Sequence, residues 1–499
     1  YISHKANANV APFDAALPGS LPALNARAVE LAARLGFALG SQVQSKSSFD
    51  RKHYHYPDLP HGYQITQQRS PIALGGQIEV FVDTKEGGTK DDSKGKNHTA
   101  EQTPRTLRVE RLQLEMDTGK RTGSSRGTLV DLNRAGSTLV EIVTAPDLRG
   151  AEEAAAAAET FQQIVRFLGV GDADMEAGEL RVDVNVSHRR VDGSAVGDRC
   201  EVKNLNSFRS IARAIRHERT RQIALMRSGA VVPRQTRSFD PIAGTTKVLR
   251  DKEALLDYRF APEPDLPHVV LEPATLEMIR SAVPELPSRA RVRLMDQYGL
   301  TSALAARVAS HKSSVAYFDE CVSSANKRAN ENGVEPPGAA DVANWVTGTL
   351  VGAAKKANVA GHKEPLLGLP ESADADRVGT LLASIGGAKN GGMTITARMA
   401  KSVLAAMLSG DTRPVPEISK ELFYSGDEGA SVEAGGEGEG RALAATCADV
   451  VGSMPDQVEL LRGGKTRLMG LFVGEVMKRT KGRADPRRAA EIIKSLVDQ

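Results

Sequence analysis

The stretch FDRKHYHYPDLPHGYQITQQ, residues 49–68, is the part of the chain from which the fold and a candidate site can best be worked out. An extended chain alternates its side chains between two faces: Arg51, His53 and His55 on one, and Lys52, Tyr54 and Tyr56 on the other. Neither face is apolar, so this segment is not an ordinary core strand. Pro57, Pro60 and Gly62 predict a break and a tight turn before Tyr63. Two interpretations stay open: a solvated surface hairpin, and the wall of a site for an anionic substrate.

Length and composition narrow the class of protein. A chain of 499 residues is expected to form roughly two to four domains. Its three cysteines, Cys200, Cys321 and Cys447, lie far apart, which argues against a disulfide framework and against a thiolate metal site. No apolar run approaches the roughly 18 residues of a membrane span, so we expect no membrane association. The chain opens at Tyr1 rather than Met, and we therefore expect a processed or incomplete protein.

Apolar periodicity and turn residues predict an α+β fold class with several domains. Helices are predicted at residues 21–39, 151–168 and 206–229, and strands at residues 77–82, 107–114, 128–143, 180–187 and 199–203. Residues 85–106 have no apolar periodicity and are expected to be a flexible insertion. The pattern becomes all-helical after residue 287, and residues 425–440 are too rich in Gly and Glu to pack. The predicted domains are therefore residues 1–287, 288–424 and 441–499, with residues 425–440 as a linker.

Two neighbouring predicted strands carry the second group of candidate site residues. In LRVDVNVS and RCEVK, valines alternate with polar residues, so each strand has one face for packing and one polar face. The polar faces carry Asp183, Asn185, Glu201 and Lys203. A half-exposed antiparallel sheet would show the same pattern without any function.

Two further clusters combine basic and acidic side chains. They contribute Glu115, Asp117, Arg134 and Glu141 from residues 114–150, and Arg250 and Arg259 from residues 238–267. Arg and Lys neutralise phosphoryl oxygens, and carboxylates hold Mg²⁺ directly or through water. These clusters therefore predict phosphate chemistry assisted by a metal ion.

The C-terminal block is basic, with nine Lys or Arg against two acids between Arg462 and Arg488. An apolar stripe at helical spacing predicts a small bundle with one basic face, which could contact phosphates of a tRNA or could simply be solvated. GGKT at residues 463–466 is not a phosphate-binding loop, because Glu459 stands where the motif needs its first Gly.

Taken together, these segments resemble the B subunit of the tRNA-dependent glutamyl/aspartyl-tRNA amidotransferase. The resemblance runs in order through FDRKHYHYPDLPHGYQITQ, DLNRAGSTLVEIVTAPDLRG, LRVDVNVS, EVKNLNSFRS, DYRFAPEPDLP and LRGGKTRLMGLFVGEVMKRTKGRADP. It implies a cradle-like antiparallel sheet domain, a helical domain and a small helical tail domain similar to YqeY proteins.

The resemblance also implies an activity, that of the B subunit of a glutaminyl-tRNA synthase (glutamine-hydrolysing), a carbon–nitrogen ligase. ATP and Mg²⁺ serve to phosphorylate the side-chain carboxylate of Glu misacylated on tRNA-Gln. Ammonia from a partner glutaminase, the amidase or A subunit, then displaces the phosphate, and a small C subunit completes the complex. The implied catalytic residues are Arg51, Lys52, His53, Tyr56, Asp183, Asn185, Glu201 and Lys203; ATP would contact Arg134, Arg250 and Arg259, and the metal would bind Glu141, Glu115 and Asp117.

Some positions depart from the family pattern. Met116 stands where bacterial members carry a second Glu, and the usual opening strand with a metal-binding His is missing before Tyr1. The absence of the zinc-binding cysteines of some members, together with the 85–106 insertion, resembles organellar members and favours a mitochondrial location. Two alternatives remain: a non-catalytic tRNA-binding scaffold in the same complex, and a self-sufficient ligase that uses free ammonia.

Overall fold

The structure, a computed structural model, describes residues 5–83, 102–125, 127–192, 194–251, 258–361, 364–385, 395–424, 437–462, 468–480, 484 and 486–497. Its contacts divide the chain into two compact units, Tyr1–Leu286 and Pro287–Gln499. The predicted subdivision of the second unit near residues 424 and 441 stays a prediction.

Strands are confined to the first unit. They are β1 (Gln42–Val43), β2 (Lys46–Ser47), β3 (Asp50–His53), β4 (Tyr63–Thr66), β5 (Ala73–Leu74), β6 (Gln77–Asp83), β7 (Gln102–Met116), β8 (Lys120–Ser124), β9 (Gly127–Asp131), β10 (Thr138–Thr144), β11 (Val182–Arg189), β12 (Ala195–Leu205), β13 (Gln235–Asp240), β14 (Thr245–Asp251), β15 (Ala261–Pro262) and β16 (Val269–Val270). Among the residues that the structure describes, no strand lies outside the first unit.

Among the described residues, four helices accompany these strands, and the second unit is helical. The helices of the first unit are α1 (Ala26–Ala38), α2 (Ala151–Phe167), α3 (Phe208–Arg227) and α4 (Pro273–Ser281). Those of the second unit are α5 (Pro287–Tyr298), α6 (Ser302–Val308), α7 (Lys312–Glu331), α8 (Ala339–Asn344), α9 (Val351–Lys356), α10 (Ala375–Ala383), α11 (Ala397–Leu408), α12 (Val415–Tyr424), α13 (Glu437–Gly452), α14 (Pro455–Arg462), α15 (Met469–Arg479) and α16 (Pro486–Val497). A π-helical turn, Trp345–Leu350, joins α8 to α9. The predicted α+β class is confirmed.

The long strand β7 organises the first sheet. This sheet has the order β1-β5-β7-β10, and β6 also pairs with β7, all antiparallel. Leu112, Leu114 and Met116 of β7 point into the core, where they meet Leu35 and Leu39 of the amphipathic α1 region. Because side chains alternate along a strand, Gln113 and Glu115 must point to the other side. The packing of one face therefore directs polar side chains to the opposite face.

A second sheet, β11-β12-β13-β14, packs against helices α2 and α3. Val202 and Leu205 of β12 are buried against Ile211 and Ala214 of α3. Ser207 caps α3 by accepting a hydrogen bond from the Ser210 amide. A smaller sheet, β15-β3-β4, contains the strand that opens the 49–68 stretch.

Three sequence predictions need correction. The last part of the predicted insertion, residues 102–106, is the start of β7 and pairs with β6; residues 84–101 lie outside the described part of the chain. The predicted strand 128–143 is two strands, because the chain turns between them and Gly136 has a φ of +76°. The end of the predicted linker, residues 437–440, is the first turn of α13. Residues 425–436 and the 463–466 motif lie outside the described residues.

The described helices do not meet the requirements of a membrane span. None of them combines sufficient length with sufficient apolar character to cross a bilayer.

Candidate functional site

Two carboxylates lie next to each other on adjacent strands of the first sheet. Glu141 on β10 is directly opposite Gln113 on β7, and Glu115 follows Gln113 on the same face. The Gln113 side-chain amide donates to Glu115 Oε1 at 2.8 Å and to Glu141 Oε2 at 2.7 Å. Thr66 Oγ1 donates to Glu115 Oε1 at 2.8 Å. We call the group Lys52, Thr66, Gln113, Glu115 and Glu141 the carboxylate hollow.

Gln113 is buried, yet in the described part of the chain the oxygen of its side-chain amide has no hydrogen-bond donor. The residue is 3% exposed, and its Oε1 atom has no hydrogen bond among the atoms that the structure describes. A buried carbonyl oxygen without a partner costs free energy, so such an atom calls for an explanation. The neighbouring carboxylates make an oxygen-seeking cation a suitable explanation.

The electrostatics of Glu141 differ from those of an ordinary surface carboxylate. Desolvation by the surrounding protein and the charge of Glu115 raise its pKa, while Lys52 and Arg111 oppose that rise. Glu141 nevertheless keeps an exposed surface. A cation bound beside Glu141 would relieve the repulsion between the carboxylates.

Lys52 supplies the positive charge of the hollow. Its Nζ lies 4.9 Å from the ring centre of Tyr258 and 5.9 Å from that of Tyr54, so two aromatic rings position the ammonium group. The Tyr54 hydroxyl donates to Gln64 Oε1 at 3.2 Å, and burial raises the pKa of Tyr54. Gln64 in turn donates to the Met116 carbonyl at 2.8 Å, which ties β4 to β7.

Arg51 and His53 lie on the opposite face of β3, as the alternation predicts. Arg51 donates to the buried Glu263 at 2.8 and 2.9 Å and to Asp265 at 2.8 Å. His53 Nδ1 lies 2.7 Å from the Arg259 carbonyl oxygen. Arg51 is therefore committed to an internal ion pair, and these two side chains are not part of the carboxylate hollow.

The second sheet carries a second polar cluster. Lys203 Nζ lies 2.5 Å from Asp183 Oδ2 and 3.1 Å from Glu201 Oε1, and Asn185 is opposite Glu201 in the register. Burial alone would lower the pKa of Lys203, but the two carboxylates raise it, so this lysine is charged. The predicted pattern of one polar and one packed face along β11 is confirmed by the exposed Asp183 and Asn185 and the buried Val186.

An ion pair joins the edges of the two polar faces. Asp117, two residues beyond Glu115, pairs with Arg181, which precedes Asp183 by two residues. Arg134 also reaches Asp117, at 3.1 Å, and donates to the Gly178 carbonyl at 3.0 Å. The strands that carry the carboxylate hollow and the Lys203 cluster are therefore linked through this ion pair.

These contacts change what Asp117 and Arg134 can do. The carboxylate of Asp117 is 3% exposed and already neutralised by two guanidinium groups. Arg134 donates three hydrogen bonds to internal acceptors. This pair joins the two sheets, and its predicted roles in metal and ATP binding stay predictions.

The remaining predicted site residues are not among those that form the carboxylate hollow. Tyr56 is exposed, with the Arg121 guanidinium 4.7 Å from its ring centre. Arg259 adopts a φ of +45° where the chain turns into β15. Arg250 is on β14 opposite Thr236, and its side chain lies outside the described atoms.

The residues of the hollow can be compared with the ligands that Mg²⁺ prefers. Among the described residues, no group of three or more His, Cys, Asp or Glu could hold a metal ion. Mg²⁺ is, however, commonly bound by one or two protein carboxylates, water and phosphate oxygens. Glu115, Glu141 and the unpartnered Gln113 oxygen fit that pattern. Met116 points into the core, so its side chain does not replace a ligand of the hollow.

The sequence reasoning missed Gln113, Thr66, Gln64 and Tyr258. Gln and Thr are common polar residues, and their sequence positions do not reveal their partners. The alternation of Gln113, Glu115 and Asp117 with apolar residues in RLQLEMD was the one usable signal.

Comparison with known proteins agrees with this architecture. The model of the GatB/GatE catalytic domain matches residues 2–277, and that of the GatB domain matches residues 327–497. The chain is 64% identical to the chloroplastic/mitochondrial B-2 subunit of glutamyl-tRNA(Gln) amidotransferase from Micromonas commoda, over 99% of this chain and 82% of that protein. The corresponding B subunit of Ostreococcus tauri is 46% identical over 98% of this chain and 87% of its own length. A bacterial relative, the B subunit of the aspartyl/glutamyl-tRNA(Asn/Gln) amidotransferase of Anaeromyxobacter dehalogenans, is 39% identical over 96% of this chain and 90% of its own length.

The matches to the GatB/GatE catalytic domain and to the GatB domain, with these relatives, place the chain in the class of tRNA-dependent amidotransferase subunits. Within that class, the chain belongs to the GatB family, the B subunits of glutamyl-tRNA(Gln) and aspartyl/glutamyl-tRNA(Asn/Gln) amidotransferases. The predicted resemblance is confirmed.

Proposed function

We propose that this protein activates the side-chain carboxylate of Glu on tRNA-Gln with ATP and converts it to the amide with ammonia, giving Gln-tRNA. The carboxylate hollow is the observation that carries the proposal. It combines a positioned cation, Lys52, with two adjacent carboxylates, Glu115 and Glu141, of which Glu141 is desolvated. Relatives of this chain are named as amidotransferase subunits, which agrees with this chemistry.

The reaction has two steps. In the first, a side-chain carboxylate oxygen of the Glu forms a bond to the γ-phosphorus of ATP, while the bond to the β,γ-bridging oxygen breaks and ADP leaves with the electron pair. In the second, the nitrogen lone pair of ammonia adds to the acyl carbon. Phosphate leaves with the electron pair of the C–O bond, and the nitrogen loses one proton to give the amide.

The side chains of the hollow would serve the first step by electrostatics. Lys52 would offset the negative charge shared by the substrate carboxylate and the transferred phosphoryl group. Lys203, held between Asp183 and Glu201, would orient substrate groups from the second sheet. Arg51 and His53 would act at a distance, by holding β3 so that Lys52 faces the hollow.

Glu115 and Glu141, with the Gln113 oxygen, would hold Mg²⁺. When bound, Mg²⁺ would neutralise the phosphate oxygens of ATP and the two carboxylates together. The Gln113 amide keeps the carboxylates in place for this, since it donates to both.

The ammonia would come from a partner amidase, the A subunit, in a complex that also contains the small C subunit. We propose Glu-tRNA(Gln) as the substrate in preference to an aspartyl-tRNA. The chain alone, supplied with ammonium salts, should therefore form little product; full activity under those conditions would favour the self-sufficient ligase.

Glu141→Gln tests the reaction directly. In the assembled complex, this change should reduce Glu-tRNA-dependent ATP hydrolysis by roughly 100-fold or more, because it removes one charged oxygen from the hollow. Affinity for tRNA should stay nearly the same. Glu110→Gln is a matched control, since Glu110 is an exposed carboxylate on the same sheet. Unchanged turnover in the Glu141 variant would refute the assignment.

A tRNA-binding scaffold without catalysis is the second candidate, favoured by the small number of acidic ligands in the described part of the hollow. In that case neither Glu141→Gln nor Lys52→Met would change product formation by the complex. Assaying both variants for Gln-tRNA therefore separates the two functions.

We further propose that the protein acts in an organelle, specifically the mitochondrial matrix. Three relatives carry the words chloroplastic/mitochondrial in their names. Cell fractionation with an antibody to this chain should place it with matrix markers. Recovery with chloroplast stroma alone would overturn the mitochondrial assignment.

A further inference from the structure

A groove of about 540 Å³ lies in the first unit at the end of β7 remote from the carboxylate hollow. It is lined by four basic side chains and two acidic ones, together with apolar residues: Arg105, Arg108, Arg149, Arg189, Asp147 and Glu153. Arg108 and Glu115 are seven residues apart on β7, which corresponds to roughly 23 Å of extended chain. The groove is therefore separate from the site described above.

Both acidic residues of the groove are engaged by neighbouring groups. Asp147 accepts from the Arg108 guanidinium at 2.7 and 3.0 Å and from the Arg108 amide at 3.0 Å, and these bonds lower its pKa. Glu153 accepts from the Arg149 amide at 2.7 Å. The charge of Asp147 is thus balanced by Arg108, and the carboxylate of Glu153 is held at the start of α2.

Three other cations line the groove from three different elements. Arg105 comes from β7, Arg149 from the segment before α2, and Arg189 from the end of β11; all three are exposed. Within the described parts of the chain, none of the three forms an ion pair. Exposed guanidinium groups that converge from separate elements are suited to bidentate recognition of phosphate.

The remaining lining suits the rest of a nucleotide. Val80 and Leu107 form a buried apolar floor, and the exposed Leu148 continues it. The volume lies within the range of small-molecule sites.

We propose that this groove binds a nucleotide phosphate, with the attached base against the apolar floor. The nucleotide is either a residue of a bound tRNA or a free nucleotide such as ATP. In the tRNA case the inference rests on the proposed function, because the aminoacylated end would then lie in the carboxylate hollow. The chemistry that recognises the phosphate is the same in both cases.

The experiment compares the double variant Arg149→Gln/Arg189→Gln with Arg190→Gln, in the full chain assembled with its partner proteins. Arg190 is exposed and adjacent to Arg189 but does not line the groove. Binding of a tRNA-Gln transcript is measured by filter binding across a salt series, and ATP binding is measured by equilibrium dialysis, both without turnover.

The double variant should bind one of the two probes roughly tenfold more weakly, and Arg190→Gln should change neither. If tRNA is the source, the salt slope of log K should also fall by about one. A loss confined to ATP would identify a free nucleotide instead. Equal affinities for all variants, or an equal loss in Arg190→Gln, would overturn the inference. Since no turnover is measured, the result is independent of the outcome for Glu141→Gln.

Discussion

Glu141 and Glu218 are carboxylates of the same unit in opposite surroundings. Glu218 on α3 is fully buried and accepts from Arg221, Gln222 and Thr246, and Arg237 lies 3.4 Å away. Burial alone would raise the pKa of Glu218, but the bonds from Arg221 and Gln222 lower it to about 2. In contrast, desolvation and the charge of Glu115 raise the pKa of Glu141.

The difference separates a structural charge from a charge available for chemistry. Around Glu218, the negative charge has positive partners, and the network fixes α3 against β13 and β14. Around Glu141, repulsion between carboxylates remains and an amide oxygen of the described hollow lacks a partner. Binding of a cation or substrate stabilises a site whose charges are not balanced, whereas a network whose charges are already balanced is not stabilised in this way.

The largest expected effect comes from Glu218→Ala. Removing this carboxylate deletes the buried acceptor of Arg221, Gln222 and Thr246, which should lower the free energy of unfolding by about 3–5 kcal/mol. Urea denaturation measures this, with Glu152→Ala as the control, because the exposed Glu152–Arg216 pair should contribute no more than about 1 kcal/mol. Equal losses of unfolding free energy in the two variants would show that the Glu218 network contributes no more than an exposed ion pair.

The Glu218 effect should also depend on pH. Its pKa in the folded protein lies below the ordinary value of 4.5, so its contribution is present above pH 4.5 and is lost as the pH falls toward 2. The difference between wild type and variant should therefore narrow on acidification.

The next largest effect compares neighbours on opposite faces of β3. Lys52→Met should lower the rate of Gln-tRNA formation by about 100-fold and leave the unfolding free energy nearly unchanged. Arg51→Met should lower the unfolding free energy, because it leaves the buried Glu263 without its ion-pair partner, and it should reduce the rate less than Lys52→Met does. Steady-state kinetics and denaturation of both variants check the contrast. Similar effects of the two changes on both measurements would mean that the faces are not functionally distinct.

A smaller effect is expected from Gln113→Leu, which keeps the size of the side chain but removes its amide. Mn²⁺, used as a probe for the metal position, should bind about tenfold more weakly, because groups that orient metal ligands contribute on this scale. Electron paramagnetic resonance of the free ion gives the affinity. Gln222→Leu, in the Glu218 network, is the control and should leave Mn²⁺ binding unchanged.

The smallest effect is a stabilisation by Glu141→Gln. Because the pKa of Glu141 is raised on folding, its ionised form opposes folding above the ordinary value of 4.5, and the neutral amide removes that cost. The melting temperature of the variant should exceed that of wild type at pH 7, and the difference should vanish below about pH 4. A variant that is less stable at pH 7 would contradict the unfavourable environment inferred for Glu141.

The sequence alone predicted the local geometry well. Alternation along β3 correctly placed Arg51 and His53 opposite Lys52, and alternation along β11 correctly separated its polar and packed faces. The resemblance to the family, rather than alternation, gave Arg51, Asp117 and Arg134 roles at the site, and those roles stay predictions. The sequence did not reveal that these three side chains form ion pairs within the fold. Ion-pair partners 17 to 212 residues apart leave no local signal.

By itself, the sequence determined the family, the α+β class and the face on which each strand residue lies, since strand periodicity and turn residues act over a few positions. Only the tertiary structure decided which charges are neutralised and which are left for chemistry. That choice depends on pairing between distant strands, such as Gln113 with Glu141, and on how much solvent the fold removes from each carboxylate.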